Sequence, residues 1–192
     1  MNVTLKDRLK AFKYAAAKFM HVALIGSLLK WMFYGSLVGI ITGSASALFL
    51  ASLDFVTEKR VNTPWLLFLL PLGGALMAYI YLKIGKNAGK GNNLILEQLH
   101  GGKETVPLRM APLVLIGTLV THLFGGSAGR EGTAVQMGGS LAEWLGRIGR
   151  VDADDRRILL MCGISSGFGS VFGTPLAGTI FGLEVAAIGM MR

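Results

Sequence analysis

From Trp31 to Leu53 the sequence carries no charged side chain, and from Pro64 to Leu82 it carries none again. A run of about 20 apolar residues is what a helix needs to cross the ~30 Å hydrocarbon layer of a bilayer. Inside that layer backbone N–H and C=O groups have no water to bond, so a spanning segment must satisfy them internally. These two runs therefore predict an all-α, polytopic membrane fold with helices of unequal length. The composition agrees: 52% of residues are hydrophobic and only 16% charged, against about 25% charged in soluble domains. Mean hydropathy is +0.55. Small residues within the first run (Gly35, Gly39, Gly43, Ser46) suit close helix packing in lipid.

The net charge is +8, and much of it sits early: Lys6, Arg8, Lys10, Lys13, Lys18 and Lys30 against Asp7. No aromatic stacking platform accompanies these cations, and apolar spans follow at once. The pattern predicts a cytoplasmic surface facing anionic lipid, not nucleic acid. Leu5, Leu9, Phe12, Ala16 and Phe19 recur at helical spacing among the lysines. That predicts an amphipathic interfacial helix within residues 1–25, followed by membrane helices over 28–192. No cleavable signal is legible. Asp54, Glu58, Lys59 and Arg60 predict an aqueous loop between the spans. Lys83, Lys86 and Lys90 return the chain to the cytoplasmic side, which places the N-terminus there and the protein in the cell inner membrane. The one cysteine, Cys162, lies among small apolar residues and reads as an inert thiol. No metal or cofactor is expected.

Beyond Lys90 the pattern changes. Asn92–Leu99 is apolar but too short to cross, Met110–Phe124 is a third span candidate, and Gly132–Ile148 is a short helix with Glu143 and Arg147 one turn apart. Asp152–Arg157 is a charged loop leading into a helix, acids first. Ile158–Leu183 predicts two short helices broken at GSVFGTP. Glycine-interrupted apolar segments of this kind mark discontinuous helices in transporters.

The stretch GGSAGREGT (residues 125–133) places one arginine and one glutamate in a glycine-rich break after an apolar run. Irregular backbone at membrane depth is tolerated where protein buries it or a watery path passes. A helix restarting at Glu131 presents unpaired N–H groups and about half a positive charge, an anion site that needs no lysine. Ionised, Glu131 fills that site itself; protonated, it leaves the site open, so one side chain couples proton and anion. The alternatives are an Arg130–Glu131 pair snorkelling to the interface, or a hydrolase built on Ser127 and His122, a weak signal beside a simple local hydrogen bond for the histidine. AGKGNN (residues 88–93) and TPLAG (residues 174–178) are further breaks before helix starts, Pro175 suiting a first turn, so several starts are expected to converge on one anion.

These motifs carry a family resemblance. GSAGREGTAVQMGG (residues 126–139) resembles the GREGP signature of the CLC chloride channels and anion/proton antiporters. GTPLAGTIFGLEV (residues 173–185) and GKGNN (residues 89–93) resemble two further motifs of that family, in order. The resemblance implies homodimers with one pore per subunit and inverted halves, and a transporter, not an enzyme. It makes Glu131 the gating glutamate and places Gly129, Arg130, Gly132 and Thr133 at the anion-binding helix start. Gly91, Asn92 and Asn93 fall at a second such start; the two asparagines are either amide donors to the anion or ordinary N-caps. Lys90 stands where the family carries an anion-coordinating serine, as a charge in the pathway or one in cytoplasmic water. Thr133 replaces the usual proline, and Val185 stands where chloride/proton exchangers carry an inner proton-relay glutamate. These departures resemble the fluoride/proton antiporter branch. The implied function is fluoride/proton antiport; the alternative is a chloride channel or chloride/proton exchanger. The resemblance covers the first half of such a subunit. The family's pore tyrosine and G-x-F-x-P helix start do not occur in this sequence, so a missing C-terminal half is expected to complete the pathway.

Overall fold

The computed structural model describes the backbone of residues 5–188 and the side chains of residues 24–187. Among the described residues every regular element is helical: α1 Leu5–Asn62, α2 Leu70–Ile80, α3 Asn92–Leu99, α4 Met110–Leu123, α5 Arg130–Ile148, α6 Ala153–Phe172 and α7 Pro175–Ile188. The all-α expectation holds. The backbone of the expected N-terminal amphipathic helix is helical from Leu5; its side chains, like Met1–Thr4, lie outside the described residues.

The chain divides into two compact units, Met1–Ser36 and Leu37–Arg192. In the first, Leu24, Ile25, Leu28, Leu29, Met32 and Phe33 are exposed apolar side chains. There the Lys30 ammonium sits 5.2 Å from the Trp31 ring centroid.

Asp54–Arg60 is not the loop expected of it: α1 continues to Asn62. Charge keeps these residues out of hydrocarbon, but DFVTEKR contains neither glycine nor proline, so nothing stops the helix. It stops at Thr63, whose backbone is pushed out of the helical region (φ −137°) by Pro64. The expected second span is also more broken than predicted. Pro64–Leu69 is wound as a 3-10 turn, α2 follows with a proline in its first turn, Tyr81–Gly85 is a π turn and Lys86–Lys90 a 3-10 turn. Proline removes a donor from the i→i−4 ladder, so the winding tightens around Pro64 and Pro71. Two helical stretches, Leu24–Asn62 and Pro64–Leu99, are long and apolar enough to cross a membrane.

The later elements follow the sequence more closely. α3 begins and ends where expected, and α4 fills the third span candidate. Asp152 is the N-cap of α6, its carboxylate accepting from the Asp155 N–H at 2.9 Å. The break at GSVFGTP is present: Gly173 takes a left-handed conformation (φ 66°) and Pro175 opens α7. The first of the two helices there is not short, however, because α6 already starts at Ala153 and runs for 20 residues.

Close backbone approach holds α5, α6 and α7 together. A β-carbon on Gly138 would strike the carbonyl of Gly163, and one on Gly167 would strike that of Ala134. One on Gly178 would lie 2.5 Å from the Ser165 carbonyl oxygen. Without a hydrophobic drive between helices in lipid, such contacts are what association rests on. Leu94, Ile95, Met110, Val135, Leu160 and Ile164 form one buried apolar cluster. Phe49 and Leu53 of α1 form a second with Val114 and Met137.

One charge lies inside this packing. Glu143 is fully buried, and its carboxylate accepts from Gln98 Nε2 at 2.6 Å, from Arg147 Nε at 3.0 Å and from the Arg156 guanidinium. Gln98 Oε1 in turn accepts from the Val106 N–H at 2.6 Å. Four donors converge on the pair, so the buried charge is compensated and α3, α5, α6 and the 100–109 loop are pinned together.

Candidate functional site

GGSAG supplies no regular structure. Gly125 has φ 82°, a conformation that side chains disfavour, and its N–H closes a turn onto the His122 carbonyl at 3.1 Å. Residues 126–129 form no regular element, and Gly129, the N-cap of α5, is extended and has no side-chain cap. The first N–H groups of α5 thus lack intrahelical partners. Glu131 folds back over this start: a β-carbon on Gly129 would lie 2.9 Å from its Oε2.

Glu131 and Arg130 are both exposed, and neither has an ion-pair or hydrogen-bond partner among the described residues. They do not pair with each other. Thr133 is buried; its hydroxyl meets that of Thr118 at 2.7 Å and donates to the Gly129 carbonyl at 3.1 Å, so it faces the packing and not the helix mouth. His122 Nδ1 bonds the Thr118 carbonyl at 2.9 Å, and Ser127 has no bond to it. The geometry of a serine–histidine pair is absent from this site.

The start of α3 lies against the start of α5. Gly91 is its N-cap, with φ 58°, and no side chain caps it, so Asn92 and Asn93 do not act as N-caps. A β-carbon on Gly132 would sit 3.5 Å from Asn92 Nδ2 and 4.0 Å from Gln136 Nε2. One on Gly91 would sit 3.6 Å from that same Gln136 nitrogen. Two side-chain amides thus lie beside the glycines of two helix starts. Gln136 was not among the residues singled out from the sequence; its position one turn after Gly132 on the same helical face is the signal that marks it. Asn93 is exposed and makes no contact of this kind.

Asn92, Glu131 and Gly132 form the polar edge of a cavity of about 270 Å³. The rest of its wall is apolar: Ile95, Val135, Ile164, Val185 and two stacked rings, Phe168 and Phe181, with centroids 4.2 Å apart. Among the described residues, Glu131 is the only ionisable side chain on the lining. The first turn of α7 is not part of the lining; that helix contributes Phe181 and Val185 from further along, so two helix starts meet at the cavity and the third does not.

Lys90 is also away from the lining. Its ammonium bonds Glu104 at 2.8 Å and Glu97 at 3.2 Å, an exposed clasp between the approach to α3 and the loop that follows it. The Lys90 hydrogen bond holds the Glu104 carboxyl below its usual range.

The sequence profile described as Voltage gated chloride channel matches residues 73–191, more than half the chain. The chain belongs to that family. A chloride/fluoride channel protein of Pseudomonas syringae pv. tomato is 57% identical over 169 residues, covering 88% of this chain and 37% of the relative. An H(+)/Cl(-) exchange transporter ClcA of Cronobacter sakazakii is 30% identical over 92% of this chain and 41% of its own length. Among solved structures, a CLC-type fluoride/proton antiporter superposes with a TM-score of 0.77 at 36% identity, over 82% of this chain and 40% of that one. The chain spans about two-fifths of the length of these relatives.

Proposed function

We propose that the chain is the N-terminal half of a CLC-type transporter of the cell inner membrane, exchanging fluoride for protons. The observation that carries this reading is the Glu131 carboxylate, folded over an uncapped helix start at the polar edge of an otherwise apolar cavity. The names of its relatives support fluoride, chloride and protons as the ions concerned.

The mechanism follows from two competing occupants. Ionised Glu131, lying at the mouth of α5, offsets the positive end of that helix and excludes an anion. A proton removes its charge, weakens its hold on the helix start, and frees that start for fluoride. Asn92 adds a neutral donor beside Gly132, which attracts an anion without fixing it as strongly as a cation would. The apolar walls lower the local dielectric and strengthen each of these interactions. Proton binding and anion binding then alternate at one place, with Gly129, Gly132 and the backbone of Arg130 and Thr133 forming the cradle. Lys90 serves as a structural clasp. The N-terminus is cytoplasmic, the surrounding partner is lipid, and a C-terminal half and a second copy complete the assembly.

The second reading, chloride conduction or chloride/proton exchange, is favoured by the chloride in the names of both relatives. Liposomes holding the protein and loaded with both anions separate the two. Fluoride leaving ahead of chloride, with protons moving the opposite way, is expected. Chloride leaving as fast without proton movement overturns the fluoride antiport reading.

A further inference from the structure

His100 closes α3 at its C-terminal end. Its Nδ1 lies 2.7 Å from the Leu96 carbonyl oxygen and its Nε2 lies 3.1 Å from the Ala186 carbonyl oxygen of α7. Carbonyl oxygens only accept, so both ring nitrogens must donate for both bonds to form. A neutral imidazole has one N–H; the imidazolium has two. The arrangement is complete only when a proton is bound. Both acceptors lie in the last turns of helices, where the backbone dipole favours a cation.

We propose that His100 is a proton-binding site, and that its protonated ring clamps the end of α3 to the end of α7. Its place relative to the cavity gives the clamp a role. Asn92, at the other end of α3, and Val185, the neighbour of Ala186, both line the cavity that holds Glu131. The eight residues of α3 separate the two ends by ~12 Å. The ring is exposed, so hydronium can give it a proton and leave as water. The imidazolium returns that proton to the water it faces, and water carries it on toward the Glu131 carboxylate. Histidine is the side chain that exchanges a proton between about pH 5 and pH 8, and histidines in membrane proteins serve as proton relays. With the proton bound both bonds form, and without it one of the two is lost.

The charged groups on the neighbouring elements are Glu97 on α3, Lys103 and Glu104 in the loop, Glu184 on α7 and Arg157 on α6. Arg157 approaches the turn closely: a β-carbon on Gly101 would lie 2.9 Å from its Nη2. None of them forms an ion pair with His100. Glu97 is held by Lys90, and Arg157 by Asp154 at 3.4 Å.

The consequence for transport rests on the antiport reading; the proton site itself rests on the two carbonyl contacts. Two variants separate a proton role from a structural one. His100→Arg keeps several donors and a fixed charge, so it holds α7 at every pH but cannot release a proton; His100→Gln loses the clamp. In fluoride-loaded liposomes, His100→Arg is expected to retain the thermal stability of the parent while losing most of its proton movement per fluoride. A parent-like proton-to-fluoride ratio in both variants between about pH 5 and pH 8 would overturn the proposal. If the parent moves no protons with fluoride, the antiport reading fails first. The clamp is then decided by nitrogen NMR of histidine-labelled protein, with the His100 signal identified by its loss in His100→Gln. Two protonated ring nitrogens at low pH and one at high pH are expected; a ring neutral throughout that range overturns the site.

Discussion

At the scale of single residues, what matters is which donors and which carboxylate face the cavity. Asn92→Ala removes the side-chain amide beside Gly132 and leaves the backbone start intact. A hydrogen bond to a charged group is worth about 1.5–3 kcal/mol, so fluoride affinity should fall by at least about tenfold, read as the concentration dependence of fluoride release. An unchanged dependence would show that the amide does not touch the anion. Glu104 carries the pH-dependent test. Its carboxyl is held below the usual range by Lys90, so the clasp contributes fully above the ordinary glutamate value of about 4.3 and is lost as pH falls through the lower folded value. Lys90→Met should return the Glu104 titration to the ordinary range, measured by carboxylate NMR, while fluoride release persists. Loss of release would place Lys90 in the pathway. Glu131 and its glycines were legible as candidates in GGSAGREGT, a charge in a glycine break at the end of an apolar run, although the same stretch allows an Arg130–Glu131 pair at the interface. Gln136 and the burial of Thr133 were not, since both depend on what lies across a helix interface.

At the scale of elements, helix starts were easier to read than helix ends. α3 and α5 begin at glycines flanked by polar residues, and Pro175 opens α7, all local signals. The end of α1 is not legible in its charges, because Asp54–Arg60 stay helical and only Pro64 stops that helix. The mixed winding from Pro64 to Lys90 has no signature beyond its prolines and glycines. The Glu143 node joins Gln98 to a residue 45 positions away, and no local pattern announces such a pair. Breaking a buried ion pair from one side costs about 3–5 kcal/mol, so Glu143→Ala should destabilise the fold strongly, read as thermal unfolding in detergent. A small effect would mean that the two arginines find water instead. Gly138→Ala drives a methyl group into the Gly163 backbone. Backbone cannot swing away as a side chain can, so α5 and α6 must separate, at a cost of about 1–3 kcal/mol in the same assay.

At the scale of the molecule, the chain spans about two-fifths of the length of its relatives and leaves large apolar faces uncovered, with Phe68, Leu82 and Leu176 each more than four-fifths exposed. Water does not tolerate such faces at this density; lipid and further protein do. On the proposed topology the basic N-terminal residues lie in the cytoplasm, so a tag there should be reached by protease from the cytoplasmic side only; digestion from the other side would invert the topology. The central claim is that one carboxylate, Glu131, carries both the gate and the proton. The measurement that tests it is proton movement accompanying fluoride release from liposomes holding the Glu131→Gln protein. Glutamine keeps the shape and cannot ionise, so proton movement should vanish. Proton movement surviving at the parent rate would contradict the account.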